Sequence, residues 1–158
     1  SQIRRVEAGI FSYFQDMRVT DNPYEIGMER LVDLEMEADF CGKEALKKIK
    51  TEGIKRKLVG IEILGESITK IVPPTYTPGY FVPDHWPIDD TDGNEIGYVT
   101  SKCYSPRLEK NIAYAFIPIE HADKGCKFFI NSPYAKLESV VTDLPFWDPR
   151  KQIPIGKA

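Results

Sequence analysis

A chain of 158 residues with a formal net charge of −3 is long enough for one domain with a substantial core, or for a small domain plus part of another. That charge gives no global electrostatic reason to bind nucleic acid or a membrane surface. No apolar run approaches the ~20 residues that span a bilayer, and residues 1–5 lack a signal peptide's apolar core, so a soluble cytoplasmic protein is expected. Cys41, Cys103 and Cys126 form no C-x-x-C pair and have no histidine at zinc-site spacing, while His85 and His121 lie far apart. Reduced thiols and no metal are expected.

In chain order, Ile3, Val6 and Ile10 recur at spacings of three and four, which predicts a helix over residues 1–10 that the chain enters midway. Its apolar stripe is expected to lie exposed, in want of partners, and so to favour dimerisation or disorder. Residues 11–40 are less regular, with a turn at Asp21-Asn22-Pro23 and an exposed strand from Glu29 to Leu34. A second helix runs from Gly42 to about Thr51, striped by Ala45, Leu46 and Ile49 and stopped at Gly53.

After Gly53 the period changes to two. Val59, Ile61 and Ile63 alternate with Leu58, Gly60 and Glu62; Ile96, Tyr98 and Thr100 follow the Asp92-Gly93 turn; Ala135, Leu137, Ser139 and Val141 alternate near the end. Ile112 to Ile117 is apolar on both faces, as in a centrally buried strand, and Cys126 to Ile130 adds another. Short strands separated by turn signals predict an antiparallel barrel starting near Lys55. Pro73, Pro74, Pro78, Pro83 and Pro87 interleave with Tyr76, Tyr80, Phe81, His85 and Trp86. Proline cannot donate to a central ladder, so Pro73 to Pro87 is expected as a loop, its aromatics packed on the barrel or across a subunit interface.

Residue types alone assemble no catalytic constellation: there is no glycine-rich phosphate loop, nucleophile elbow or paired histidine motif. Three ordered segments carry more. They are Arg5-Val6-Glu7-Ala8-Gly9 with Tyr13 and Asp16, then Asp39-Phe40-Cys41-Gly42-Lys43-Glu44-Ala45-Leu46, then Ser101-Lys102-Cys103-Tyr104-Ser105-Pro106-Arg107-Leu108-Glu109-Lys110-Asn111-Ile112-Ala113-Tyr114-Ala115. They resemble the "RLEAG..LYG.D", "DF.G.EAL" and "TSG...SP.L.KNIA.A" patterns of the glycine-cleavage T-protein family, the folate-dependent aminomethyltransferases and their demethylase relatives. The resemblance runs from Arg5 to about Phe146, with an inserted stretch between Ile68 and Asp92.

The resemblance implies an α+β fold: residues 1–54 as the C-terminal end of a mixed folate-binding domain, 55–148 as an antiparallel β-barrel and 149–158 as a tail. It implies tetrahydrofolate as the one-carbon acceptor and a small methyl or aminomethyl donor, both held in a cavity between domains. The family's catalytic aspartate and pterin-binding glutamate belong to an N-terminal half with no counterpart here, so no catalytic residue is assigned. The chain is expected to need that half and to be inactive alone. Ser1 stands where the family has a folate-binding arginine, and the stretch from Asp148 to Ala158 lacks the family's late tyrosine. Those departures fit a divergent member, such as a demethylase of an N-, O- or S-methyl substrate.

Carried over residue by residue, the folate-binding candidates are Glu7, Tyr13, Glu25, Tyr104 and Arg107. Tyr13 either lines the cavity or packs as an ordinary helix-end aromatic. Glu7 either accepts a hydrogen bond near the site or pins a neighbouring helix. Asp16 and Glu25 flank a turn, where caps and salt bridges are the commoner roles. Tyr104 and Arg107 fall between a strand and the next element, where a barrel loop could face the cavity, while Ser105-Pro106 fixes the turn and Asn111 bonds locally. Lys43, Lys47, Lys48, Lys50, Lys55, Arg56 and Lys57 form either a solvated face or an attractor for a polyglutamate tail or an acidic carrier protein. A non-catalytic module of the same fold is the competing function, although Phe40-Cys41-Gly42-Lys43-Glu44 lacks the "K-G-C-Y-x-G-Q-E" motif of that branch.

Overall fold

The computed structural model describes residues 2–72, 84–150, 152, 153 and 156. Its strands are β1 (Arg56–Ile63), β2 (Trp86–Asp89), β3 (Glu95–Ser105), β4 (Lys110–Pro118), β5 (Lys127–Asn131) and β6 (Lys136–Thr142). They close into an antiparallel barrel in the order β1-β4-β3-β2-β5-β6, with β6 returning to β1. Closure gives every strand a paired neighbour on both sides, which leaves little sheet edge to template aggregation.

The period-two stretches become β1, β3 and β6, and the apolar runs at Ile112 to Ile117 and Cys126 to Ile130 become β4 and β5. The loop expected up to Pro87 is corrected at its end, because Trp86 and Pro87 begin β2. Pro87 pairs with Tyr98 of β3, whereas pairing of β2 with β5 starts only at Ile88. The proline thus sits where one edge needs no donor. Trp86, 1 % exposed, fills the barrel interior. The rest of that expected loop, Pro73 to Pro83 with Tyr76, Tyr80 and Phe81, lies outside the described residues.

Two apolar clusters explain why β4 is buried on both faces. Ala113, Ala115 and Ile117 face the barrel interior with Ile61, Ile88, Phe128 and Ile130. Ile112, Tyr114 and Phe116 face outward into a second cluster with Val6, Ile26, Leu58 and Cys103. That outer cluster is roofed by the N-terminal segment and, from the other end of the chain, by Leu144 and Phe146. Gly60 lets the tail approach: a Cβ there would lie 2.8 Å from Leu144 side-chain carbons and 3.1 Å from Phe146.

The N-terminal segment holds α1 (Gln2–Glu7), a 3-10 turn at Glu29–Leu31, and α2 (Lys43–Glu52), whose stop is Gly53 with its N–H bonded to the Ile49 carbonyl. The strand expected over Glu29 to Leu34 is therefore corrected to this turn. The apolar stripe expected to lie exposed on the first helix is also corrected. Val6 is fully buried and Ile3 packs beside it in the outer cluster. Of the stripe only Ile10 is exposed, at 58 %, because the helix stops at Glu7, and beyond it Tyr13, Phe14 and Val19 are 53, 65 and 86 % exposed. Among the described residues, no helix is long and apolar enough to cross a membrane, and no group of three His, Cys, Asp or Glu is arranged to hold a metal ion.

Candidate functional site

A β-bulge builds the most polar buried site. In β3, Val99 pairs with Ala115 and Lys102 with Ala113, so Thr100 and Ser101 together face the single Tyr114 of β4. Neighbours on a regular strand point to opposite faces; a bulge re-aims one of them. Both hydroxyls consequently donate to Asp16 Oδ1, Thr100 at 2.7 Å and Ser101 in a very short bond. The other carboxylate oxygen accepts from Arg5 Nη1 at 2.7 Å and from the Ser12 N–H at 2.8 Å. Asp16, 1 % exposed, is thereby saturated.

Arg5 spreads its remaining N–H groups over Gln2, the Ile10 carbonyl, Gln15 and Ser101 Oγ, the last at 2.6 Å. Opposite the bulge, the Tyr114 hydroxyl donates to the Arg5 and Val6 carbonyls at 3.1 and 2.9 Å. Burial, with the Asp16 charge next, pushes the Tyr114 phenol well above its ordinary range. A buried ion pair inside the N-terminal segment is therefore held to the barrel by hydroxyls from both strands, Thr100 and Ser101 of β3 and Tyr114 of β4. Losing one partner of such a pair costs about 3–5 kcal/mol, because the other charge stays behind.

A second anchor lies at the far end of α1. Glu7, 5 % exposed, accepts from Ser105 Oγ at 2.5 Å, and its carbonyl accepts from the Trp147 N–H at 3.0 Å. Ser105 Oγ also accepts from the Leu108 N–H at 3.1 Å, which shapes the β3–β4 turn. Arg107 leaves that turn, 4.0 Å from Glu7 and with its guanidinium 4.6 Å from the Trp147 ring centre. Burial first, then the Glu7 charge, push the nearby Cys103 thiol up to about 12, which makes it inert at neutral pH.

A third anchor is Arg56, paired to Asp21 at 2.6 Å and Glu25 at 3.2 Å, with its guanidinium over Phe116. Asn22 donates its N–H to the second Glu25 oxygen at 3.2 Å, and the Glu25 carbonyl accepts from the Leu58 N–H at 2.7 Å. His85 stacks on Tyr98 at 4.8 Å and donates to the Gln15 carbonyl at 3.2 Å. Burial lowers the pKa of its ring. Lys102 pairs with Asp84 at 2.9 Å over the Trp86 ring, and burial lowers its pKa against the pull of Asp84.

Of the five sequence candidates, only Glu7 and Arg107 come together. Glu25 is engaged by Arg56, and Tyr13 packs edge-on against Phe14 at 4.5 Å. Tyr104 was expected between elements but lies inside β3, opposite Asn111, with its ring against the interior cluster. The strand runs on to Ser105 because the turn beyond it is short. Asn111 is not local either: it accepts from the Ile68 N–H and donates to the Ile63 and Glu66 carbonyls, fixing the chain as it leaves β1. Arg5, Thr100, Ser101, His85 and Lys102 were missed. Two signals were available: Arg5, Ser101 and Lys102 fall inside the motif segments, and Thr100 and Ser101 are adjacent hydroxyls within β3.

A six-stranded closed barrel that clamps a polar-anchored helical segment to its outer face defines the class of domain. The family described as the glycine cleavage T-protein C-terminal barrel domain matches residues 56–148, and the chain belongs to that family. An aminomethyltransferase of Clostridium botulinum (strain Kyoto / Type A2) is 38 % identical over 143 residues, covering 90 % of this chain and 35 % of the relative. One from Symbiobacterium thermophilum is 34 % identical, with coverage of 90 % and 34 %. The crystal structure of the glycine cleavage system aminomethyltransferase T from Bartonella henselae superposes with a TM-score of 0.74 at 23 % identity, covering 90 % of this chain and 36 % of that one. The chain thus spans about a third of the length of the curated relatives it matches.

Proposed function

We propose that the chain is the C-terminal part of a cytoplasmic enzyme that transfers a one-carbon unit from a small methyl or aminomethyl donor to tetrahydrofolate, a demethylase being one form of that chemistry. The observation that carries this reading is the match between signature and anchor. Arg5, Glu7, Asp16, Ser101, Ser105 and Asn111, all inside the ordered motif segments, are the residues that lock the N-terminal segment and the β1 exit onto the barrel. The motif preserves the relative placement of two pieces, and placement is what a bimolecular transfer in a shared cavity demands.

Pterin recognition needs carboxylate oxygens free to accept ring N–H groups. Both oxygens of Asp16 and of Glu25 are taken, and one of Glu7 is taken by Ser105. These residues do not by themselves fit tetrahydrofolate. Tyr13 and Arg107, each 53 % exposed, are the candidates left with surface to offer a ligand. Tyr13 and Phe14, in contact with each other, and Ile10 and Val19 close by in sequence are exposed apolar side chains, suited to the N-terminal half of such an enzyme or, without it, to a second copy. In the basic stretch, Lys43 donates to the Met36 and Ala38 carbonyls, Lys47 and Lys48 pair with Glu44 and Glu52, and Arg56 is an anchor. Lys50, Lys55 and Lys57 are what remain for a polyglutamate tail or an acidic carrier.

The test is tetrahydrofolate-dependent transfer by the full-length enzyme with N-, O- and S-methyl donors, beside the 158-residue chain alone. Turnover by the complete enzyme and none by the chain is expected. Turnover by the chain alone, confirmed by mass, overturns the division of labour. Folate binding by the complete protein without turnover on any donor selects the alternative of a non-catalytic folate-binding or assembly module.

A further inference from the structure

Strands β1 and β6 pair only from Gly60 and Thr142 toward Ile63 and Ser139. Below Gly60 they part, and the gap is taken up by the N-terminal segment, whose Glu25 carbonyl accepts from the Leu58 N–H. This leaves a cleft of about 540 Å³, floored by Lys57 to Gly60 and walled by Phe11, Met28, Lys124 and Leu144. Sites for small molecules commonly span ~300–1000 Å³ with mostly apolar walls and a few placed polar groups. None of the five motif-derived candidates lines it.

Its charges are unequal. Lys124 and Asp143 are ion-paired with each other. Lys57 and Arg30 also line the cleft, and among the described residues neither side chain makes an ion pair or a hydrogen bond. Glu29 is the one other carboxylate in the lining, so two unpaired cations face one anion. Lys57 is half-buried at the floor, where an opposite charge is screened less than on the open surface. Phe11, Met28 and Leu144 supply apolar wall on the outer face with Leu58, while Lys57, registered with Ile117, borders the cleft from the lumen side through the gap where β6 has left β1.

We propose that this cleft binds a small organic carboxylate on an apolar body, with the carboxylate at Lys57 and Arg30 and the body against Phe11, Met28 and Leu144. Such a group could be the benzoyl-glutamate end of a folate, which carries two carboxylates, or a free aliphatic acid, which carries one; each presents a carboxylate on an apolar body. The inference goes beyond the transferase reading, since binding here needs no turnover.

The test titrates the ¹⁵N-labelled 158-residue chain with p-aminobenzoylglutamate, with 4-methylvalerate, and with the uncharged 4-methylvaleramide. Saturable amide shifts at Gly27, Lys57 and Gly60 are expected with at least one carboxylate, and binding about tenfold weaker for the amide. Saturation by p-aminobenzoylglutamate alone assigns the folate end; saturation by 4-methylvalerate assigns a free carboxylate. The double variant R30Q/K57Q should weaken the better probe about tenfold or more with an unchanged melting temperature, whereas R30K/K57R should retain it. Absence of shifts at the cleft up to about 10 mM of both carboxylates, or equal affinity in R30Q/K57Q, overturns the proposal.

Discussion

The barrel and the segment before it are held by different forces. Residues 56–142 close a ladder of backbone hydrogen bonds around Ile61, Ile88, Phe128 and Ile130, each 1 % exposed or less. Residues 2–54 bury few apolar side chains, Val6, Ile26 and Leu34 among them, and α2 buries none of its residues. That segment depends on three polar anchors, centred on Asp16, Glu7 and Arg56. Apolar burial is non-directional and tolerates small shifts, whereas buried hydrogen bonds fix one geometry. The barrel is therefore the source of stability, and the anchors are the source of position.

Phe128→Ala gives the largest expected effect. Removing a fully buried ring should cost about 3–5 kcal/mol, and denaturant unfolding should show barrel and segment lost together. Survival of barrel protection in hydrogen exchange would break the claim that its core is one cooperative unit. Asp16→Ala comes next at about 3 kcal/mol, because it leaves the Arg5 cation and two hydroxyls without their acceptor. Here exchange protection should fall over residues 2–17 while β1 and β4 keep theirs. Equal loss in both regions would show that position and stability cannot be separated.

Ser105→Ala should cost about 1–2 kcal/mol by leaving the buried Glu7 oxygen unpaired, with the loss confined to α1 and the β3–β4 turn. The pH dependence of the junction is smaller. Burial depresses the His85 pKa, so the unfolded chain binds the proton more readily. Stability from this group is present above the unfolded value near 6.5 and declines as pH falls through the lowered folded value. His85→Gln should flatten that part of the profile, read from melting temperature against pH. Smallest of all, Lys127→Ala removes an exposed pair with Glu138 and should shift stability by under about 0.5 kcal/mol.

Legibility in the sequence follows the same division. The period of two exposed β1, β3 and β6, because alternation is a direct image of inside and outside, while short apolar runs marked β4 and β5. Even the two-sided burial of Ile112 to Ile117 was visible, although its cause, a second cluster outside the barrel, was not. β2 escaped because Pro87 argues against a strand unless its unpaired edge is known. The anchors escaped for a different reason. Arg5 meets Ser101 across a sequence separation of 96 residues, and no local pattern announces such a pairing. Glu7 could be read as a pin without knowing what it was pinned to.

The extra residue at Thr100–Ser101 also inverts the strand that carries it. Before it, odd-numbered Val99 points into the barrel and Tyr98 outward; after it, Tyr104 packs inward and Cys103 outward. An unbroken alternation running on from Val99 would put Cys103 in the lumen and the Tyr104 ring outside, and the extra residue is the frame shift that prevents it. Deleting Thr100 or Ser101 would leave Val99 opposite Ala115 and Lys102 opposite Ala113 in a regular ladder, with every other side chain of β3 in its own compartment. The loss would fall on the hydroxyls aimed at Asp16, so the extra residue serves the anchor and the barrel closes without it.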